Sequence, residues 1–258
     1  MSELRANIHP DAKIGDNVTI ESFSTIYENV EIGDGTWIGP NVTIMDGARI
    51  GKNCKIFPGA VISAEPQDLK YAGEDTHAII GDNTTIRECV TINKGTKDVW
   101  KTEVGSNCLL MAYVHVAHDC IVGNNVILAN CVNLAGHITI EDYSILEGMV
   151  AVQQFLRIGA YSFIAGGSLV RKNVPPYVRA AREPLSYVGI NAIGLKRRGF
   201  SEDDVKRIED IYRKIYVLNK VTSRGIEAVK TNIEDSIFKE EIVGFFESSE
   251  NGVMRGLA

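Results

Sequence analysis

Residues 31–50 read Glu31-Ile-Gly-Asp-Gly-Thr-Trp-Ile38-Gly-Pro-Asn-Val-Thr-Ile44-Met-Asp-Gly-Ala-Arg-Ile50, with an isoleucine at every sixth position. The same phase extends both ways. It takes in Ile8, Ile14, Ile20 and Ile26 on one side and Ile56 and Ile62 on the other, and returns at Ile80, Ile86 and Ile92. It returns again at Val104 and runs through Leu110, Val116, Val122, Leu128, Leu134, Ile140, Leu146, Val152, Ile158 and Ile164 to Val170. Of the 28 positions in this register 25 are Ile, Leu or Val, the exceptions being Asp68, Glu74 and Asp98, so composition alone does not explain the pattern. A period of six fits neither an amphipathic helix nor ordinary strand alternation. It is the signature of a parallel β-helix built from hexapeptides.

Four residues after each aliphatic stands a small or β-branched residue (Val18, Ser24, Val30, Thr36, Val42, Ala48, Cys54, Ala60, then Cys108, Val114, Cys120, Val126, Val132), as a second inward position requires. Gly, Asp and Asn crowd the positions after the aliphatic, where tight corners need φ > 0. Three hexapeptides make a triangular coil of about 18 residues, so residue n stacks on n+18 at roughly 4.8 Å. Hexapeptide prisms are expected to be left-handed, against the usual rule for crossovers. Cys54, Cys108 and Cys120 then read as small core residues. With Cys89 and Cys131 the cysteines number five and contain no Cys-x-x-Cys, which points to reduced thiols in a cytoplasm rather than to disulfides or zinc.

The register breaks at 63–79 and 94–103, two polar insertions on a rigid scaffold, where sites concentrate. It stops after Val170, and Pro175-Pro176 follows. From the capping-box-like Ser201-Glu-Asp-Asp204 the period becomes helical, with Val205, Ile208, Ile211, Tyr212, Ile215 and Leu218 on one face and two short helices expected near 224–235 and 239–247. The sequence thus divides into a left-handed parallel β-helix over 1–184 and an α-helical C-terminal domain over 185–258. The net charge of −6 disfavours nucleic acid as the main partner, and no apolar run is long enough for a membrane span and no charged-then-apolar leader marks a signal peptide. Charge is segregated: residues 171–220 hold 12 Lys or Arg against 6 Asp or Glu, a net of +6, leaving −12 for the remainder.

The stretch Leu110-Met-Ala-Tyr-Val-His115-Val-Ala-His118-Asp119-Cys-Ile121, with Gly136-His137 one coil later, holds three of the five histidines. A prism has flat faces and no deep pocket, so a groove closed by a second subunit, and with it a homotrimer, is expected. Three chemistries fit the cluster. Neutral imidazoles suit zinc, as in the three-histidine hexapeptide carbonic anhydrases, whose spacing differs. Imidazoles can also satisfy corner carbonyls. A histidine with an ordinary pKa of about 6.5 can serve as a general base, oriented by Asp119, with the Gly136 N–H at a developing oxyanion.

Gln67-Asp-Leu-Lys-Tyr-Ala-Gly73, Ile86-Arg-Glu, Asn93, Gly95-Thr96, His115-Val-Ala-His-Asp119, Leu134-Ala-Gly-His137, Gln154-Phe155, Val174-Pro-Pro-Tyr177 and Gly194-Leu-Lys-Arg-Arg-Gly-Phe200 resemble, in order and over essentially the whole chain, the UDP-N-acetylglucosamine 3-O-acyltransferases of lipid A biosynthesis. The resemblance implies transfer of a 3-hydroxyacyl group from acyl carrier protein to the glucosamine 3-position of UDP-N-acetylglucosamine. His118 would be the general base, Asp119 its partner and Gly136 the oxyanion donor. Gln67, Asp68 and Lys70 would lie near the sugar nucleotide or the donor, with His115, His137 and Gln154 nearby, while Asn191, Arg197 and Arg198 would contact the nucleotide. Gly166 would end the acyl channel, counted as a wall two or three coils beyond the base at 160–170. The Lys/Arg junction would steer the acidic carrier protein. No metal and no cofactor is called for.

Two positions depart from the family pattern: Gln153 where it usually has His, and Ile193 where it often has Glu. Two other readings stand beside this one. A related hexapeptide acyltransferase would act on a 3-amino sugar, though the sister N-acyltransferase begins with a uridine-binding domain whereas here the hexapeptides start at Ile8. A non-catalytic trimeric scaffold would leave His-x-x-His-Asp beside Gly-His without a purpose.

Overall fold

The computed structural model describes residues 5–219 and 221–256, so Lys220, one of the twelve basic residues of 171–220, and the extreme ends of both expected domains lie outside the described residues. The chain winds as a left-handed parallel β-helix. Two-residue strands recur every six residues and assemble into three parallel faces: a nine-strand sheet A beginning Asn7–Ile8, an eight-strand sheet B beginning Lys13–Ile14, and a ten-strand sheet C beginning Thr19–Ile20. Asn7 pairs with Thr25 and Ile8 with Ile26, which pairs in turn with Ile44. Away from the two insertions each inward aliphatic therefore sits on its counterpart 18 residues away, and Ile26, Ile44, Ile62, Ile92, Val116, Leu134, Val152 and Val170 are all essentially inaccessible.

The smaller inward position carries hydroxyls and thiols for a reason visible in the hydrogen bonds. Ser24 Oγ donates to Gly39 O, Thr36 Oγ1 to Gly51 O, Thr84 Oγ1 to Gly105 O, Cys108 Sγ to Gly123 O and Cys120 Sγ to Ala135 O. A buried donor is satisfied by a corner carbonyl without leaving the core. Burial pushes the Cys108 thiol up to about 11 and the Cys120 thiol up to about 12, so both are un-ionised packing groups, as their spacing predicts.

The two insertions keep the phase of the repeat because of their lengths. Val61 pairs with Thr91, 30 residues on rather than 18, and Thr91 with His115, 24 on. They therefore add twelve and six residues, whole numbers of hexapeptides. Their edges are strands, Val61–Ala64, His77–Ile80 and Lys101–Val104, which leaves 65–76 and 94–100 as the loops proper. The first coil is open to solvent: Ile8 and Ile14 are 42% and 37% exposed, against 1% for Ile26.

At the other end the hairpin of Val178–Ala181 and Ser186–Ile190 extends sheet C, so the expected boundary at 184 falls in its turn and the helices begin at α1, Ala192–Arg197. α2 (Glu202–Tyr212) starts with the predicted capping box between Ser201 and Asp204. It buries Val205, Ile208, Ile211 and Tyr212, and Ile215 follows into the core, but Leu218 is 61% exposed. The reason is a π-helical turn at Arg213–Val217, which shifts the register of the apolar face before Leu218 is reached. α3 (Thr222–Asn232) and α4 (Ile237–Glu247) complete the cap. It is tied to the prism by Tyr212, whose hydroxyl donates to Pro176 O, and by bridges from Val253 to Asn173 and from Arg255 to Ser186. Among the described residues no helix is long and apolar enough to cross a membrane.

Leu128→Ala, in the closed core, is expected to cost about 2–5 kcal/mol. Ile14→Ala, at the open end, is expected to cost less than about 1 kcal/mol. Denaturant midpoints for the two variants check the contrast.

Candidate active site

The turns that carry the chain from sheet A to sheet B stack into one corner. Ala117-His118-Asp119-Cys120 follows strand His115–Val116. Ala135-Gly136-His137-Ile138 lies one coil above it, and Gln153-Gln154-Phe155-Leu156 one further. Backbone bonds hold the register: His137 N–H donates to His118 O and Phe155 N–H to Gly136 O. Asp119, His137 and Phe155 all adopt φ near +60°, but so do Tyr113, Cys131 and Met149 at other corners, so the left-handed turn belongs to the coil and is not special to the site.

His118 Nδ1 lies 2.8 Å from Asp119 Oδ2. A carboxylate cannot donate, so Nδ1 is the donor, and in the neutral ring Nε2 is left with its lone pair. Asp119 is buried and held by the loop of the second insertion: its Oδ1 accepts from Thr96 N–H at 2.9 Å and its Oδ2 from Thr96 Oγ1 at 2.7 Å, while its own N–H donates to Thr102 Oγ1. Burial would raise the Asp119 carboxyl, but the Thr96 hydroxyl, the His118 ring, the Thr96 amide and the nearby His137 outweigh it and hold the group below its ordinary range. Gly136 sits against the other side of the imidazole. A Cβ there would lie 2.6 Å from His118 Cε1 and 2.8 Å from Nε2, so no side chain fits. The Gly136 N–H donates to no backbone carbonyl among the described residues.

His137 completes the corner. It meets His118 edge-on with centroids 5.1 Å apart and stacks on Phe155 at 4.4 Å. Donor atoms of His118, Asp119 and His137 come within 4.8 Å of one another, a spacing that could suit a metal. Both Asp119 oxygens, however, already accept the three bonds from Thr96 and His118, which describes an oriented imidazole rather than an open ligand set. The His118 side chain is only 13% exposed, more recessed than a prism surface predicts, because the second insertion folds beside it. His115 faces outward from sheet A with Nδ1 2.7 Å from Thr91 Oγ1; burial, then the charge of His118, depress its pKa.

A cleft of about 510 Å³ opens beside this corner, lined by Asp68, Lys70 and Glu74 of the first insertion, Thr96, Lys97 and Asp98 of the second, and His137 and Phe155, so the two insertions and the histidine column share one space. Gln67 and Lys70 are exposed, as is Gln154 above Gly136. The other predicted residues stand elsewhere. Asn191 is 7% exposed and caps α1, accepting from Gly194 N–H and donating to Tyr161 O, so both ends of its amide are occupied. Arg198 lies over the Tyr143 ring at the corner between sheets B and C, and Arg197 is exposed on the same helix end. Gly166 precedes strand Leu169–Val170 at the corner between sheets C and A, the opposite edge of sheet A from His118. The 160–170 wall is therefore one corner away from the column above the histidine and does not stack on it within the chain. Thr96, Asp98 and Phe155 also line this corner, and the sequence marks them only through Gly95-Thr96, Gln154-Phe155 and the break in the repeat at Asp98.

A family model described as UDP N-acetylglucosamine O-acyltransferase, domain 2, matches residues 173–254, and one described as bacterial transferase hexapeptide (six repeats) matches 29–64 and 101–136. The acyl-[acyl-carrier-protein]–UDP-N-acetylglucosamine O-acyltransferase of Aliivibrio salmonicida strain LFI1238 is 49% identical over 257 residues, covering 97% of this chain and 98% of the relative. The chain belongs to this acyltransferase family. A solved UDP-N-acetylglucosamine acyltransferase from Bacteroides fragilis 9343 superposes with a TM-score of 0.94 at 48% identity, over 99% of this chain and 100% of that one. The Francisella novicida UDP-N-acetylglucosamine acyltransferase gives 0.93 at 41% identity, over 98% and 93%.

Because the folded Asp119 carboxyl titrates below its unfolded value, the stability it contributes is present in full above the ordinary aspartate pKa of about 3.9 and is lost as pH falls through the folded value. Asp119→Asn is expected to destabilise by about 2 kcal/mol near neutral pH, and the deficit shrinks towards about pH 3. Urea unfolding at both pH values measures it.

Proposed function

We propose that this chain transfers a 3-hydroxyacyl group from acyl carrier protein to the 3-hydroxyl of UDP-N-acetylglucosamine, the first step of lipid A biosynthesis, in the cytoplasm and as a homotrimer. The observation that carries the reading is the His118 ring, whose Nδ1 is committed to Asp119 and whose Nε2 faces the space beside Gly136. Nε2 takes the proton of the sugar hydroxyl as its oxygen attacks the thioester carbonyl carbon. The new C–O bond forms, the carbonyl electrons move to its oxygen, and the Gly136 N–H donates to that oxyanion. On collapse the C–S bond breaks and the carrier thiolate recovers the proton from the imidazolium, whose charge Asp119 has stabilised.

Family membership over 97% of the chain supports the substrates, and the mixed lining of the cleft, Lys70, Lys97 and His137 beside Asp68, Glu74 and Asp98, offers both donors and acceptors to a sugar nucleotide. Asp68 and Gln67 lie on the loop where the acyl donor or sugar would arrive. Trimer formation would bring α1 of a neighbouring copy, with Arg197 and Arg198, to a groove that a single chain leaves open, and would let Gly166 of one edge face the acyl chain from another. Asn191 then supports α1 from within rather than through a free amide. The exposed cations of the junction would attract the acidic carrier.

Transfer is tested by mass spectrometry of products from UDP-N-acetylglucosamine and 3-hydroxyacyl carrier protein. His118→Ala is expected to lower kcat by about 10²–10⁴ without loss of fold; activity within a few-fold of wild type contradicts the base assignment. With Gly166 at the channel end and each buried methylene contributing about 0.8 kcal/mol, Gly166→Met is expected to turn a preference for long donors into one for shorter donors, read as the ratio of kcat/KM values. An unchanged ratio in a folded trimer removes Gly166 from the wall.

A further inference from the structure

The loop of the second insertion reaches the catalytic corner twice. Thr96 braces Asp119 through both its N–H and its hydroxyl, and Asp98, whose N–H donates back to Thr96 Oγ1, places its Oδ2 3.2 Å from His137 Nδ1. His137 Nε2 lies on the other side, 3.8 Å from Asp119 Oδ2. The remaining constraint on the ring is its stack on Phe155, inclined by 15°. Stacking fixes the plane of an imidazole but not its flip: a half-turn about the Cβ–Cγ bond keeps the contact area and exchanges nitrogen for carbon on both edges. Polar partners at the edges select the orientation; Asp98 Oδ2 at 3.2 Å is nearer than Asp119 Oδ2 at 3.8 Å, and a carboxylate at Nδ1 also fixes the tautomer.

We propose that Asp98 is a positioning residue for His137: it holds the ring in the flip and tautomer that present Nε2 to the site beside His118, and so sets the affinity for the sugar nucleotide. The six-residue insertion then orients both histidines from one turn, Thr96 acting on His118 through Asp119 and Asp98 acting on His137 directly. The Asp98 side chain is 67% exposed, so its contribution to folding is small while its contribution to ring orientation is read at the site. The inference rests on the acyltransfer reading for its kinetic consequence but not for its spectroscopic one.

Two measurements on full-length protein decide it. Long-range proton–nitrogen spectra of ¹⁵N-histidine-labelled protein show five rings, and His137→Ala deletes the resonance of interest. Asp98→Ala is expected to move that resonance away from the Nδ1-protonated pattern, whereas Asp98→Asn, which still offers an acceptor, keeps it. An unmoved resonance in Asp98→Ala overturns the proposal whether or not the protein turns over. In the transfer assay Asp98→Ala is expected to raise KM for UDP-N-acetylglucosamine about threefold to fivefold, the range of an exposed charge pair, with kcat changed less than about twofold, and to change nothing further in a His137→Ala background. An equal effect of Asp98→Ala with and without His137 overturns the positioning role. A wild type that fails to turn over counts against the function proposed above and leaves the resonance to decide Asp98.

Discussion

Each amide at the edge of one coil donates to a carbonyl of the next, as Asn7 N–H does to Ser24 O and Thr25 N–H to Val42 O, and this parallel ladder forces every residue to lie over its counterpart one coil away. The interior accepts one aliphatic and one small group per side, so the backbone has little freedom to slip. A functional group placed at a corner is consequently held to the accuracy of the ladder. Gly136 lies against the His118 ring because it stands 18 residues on, and His137 and Phe155 form a column for the same reason.

The rigid column supplies geometry, and the insertions supply chemistry that a repeat cannot. Thr96 and Asp98 enter from a loop that lengthens its coil by one hexapeptide, so the coil above is undisturbed while two side chains gain access to the corner. Asp119 is ionised in a buried place because that loop provides its hydrogen bonds. An imidazole with Nδ1 occupied and Nε2 beside a glycine with no Cβ is suited to take a proton from a group lodged next to it.

Much of this is legible in the sequence. The period of six reports directly on the core, since each turn must bury one large aliphatic, and the pairing of 118 with 136 follows from three hexapeptides per coil. Ser201 announced its helix through a local hydrogen bond. What escaped has physical causes. The path of an insertion is set by tertiary contacts and not by a period, so the reach of Thr96 and Asp98 back to the corner has no sequence signature beyond the register break at Asp98. The π-helical turn that exposes Leu218 leaves no mark in a hydrophobic pattern. The cap that Asn191 makes on α1 and its bond to Tyr161 O are tertiary contacts that leave no mark in a period. The place of Gly166 depends on corners as well as layers: it stands six short of 172, one side of the triangle earlier than the column over His118, so within one chain it lies at the other edge of sheet A.

The central claim is that His118 Nε2, oriented by Asp119 and lodged beside Gly136, receives the proton of the acceptor hydroxyl. A crystal structure of the assembled protein with UDP-N-acetylglucosamine tests it most directly. The account predicts the sugar at the cleft between the insertions and the histidine column, with its 3-hydroxyl about 2.6–3.2 Å from His118 Nε2. A nucleotide seated with that hydroxyl turned to another group, or bound away from this corner, contradicts it.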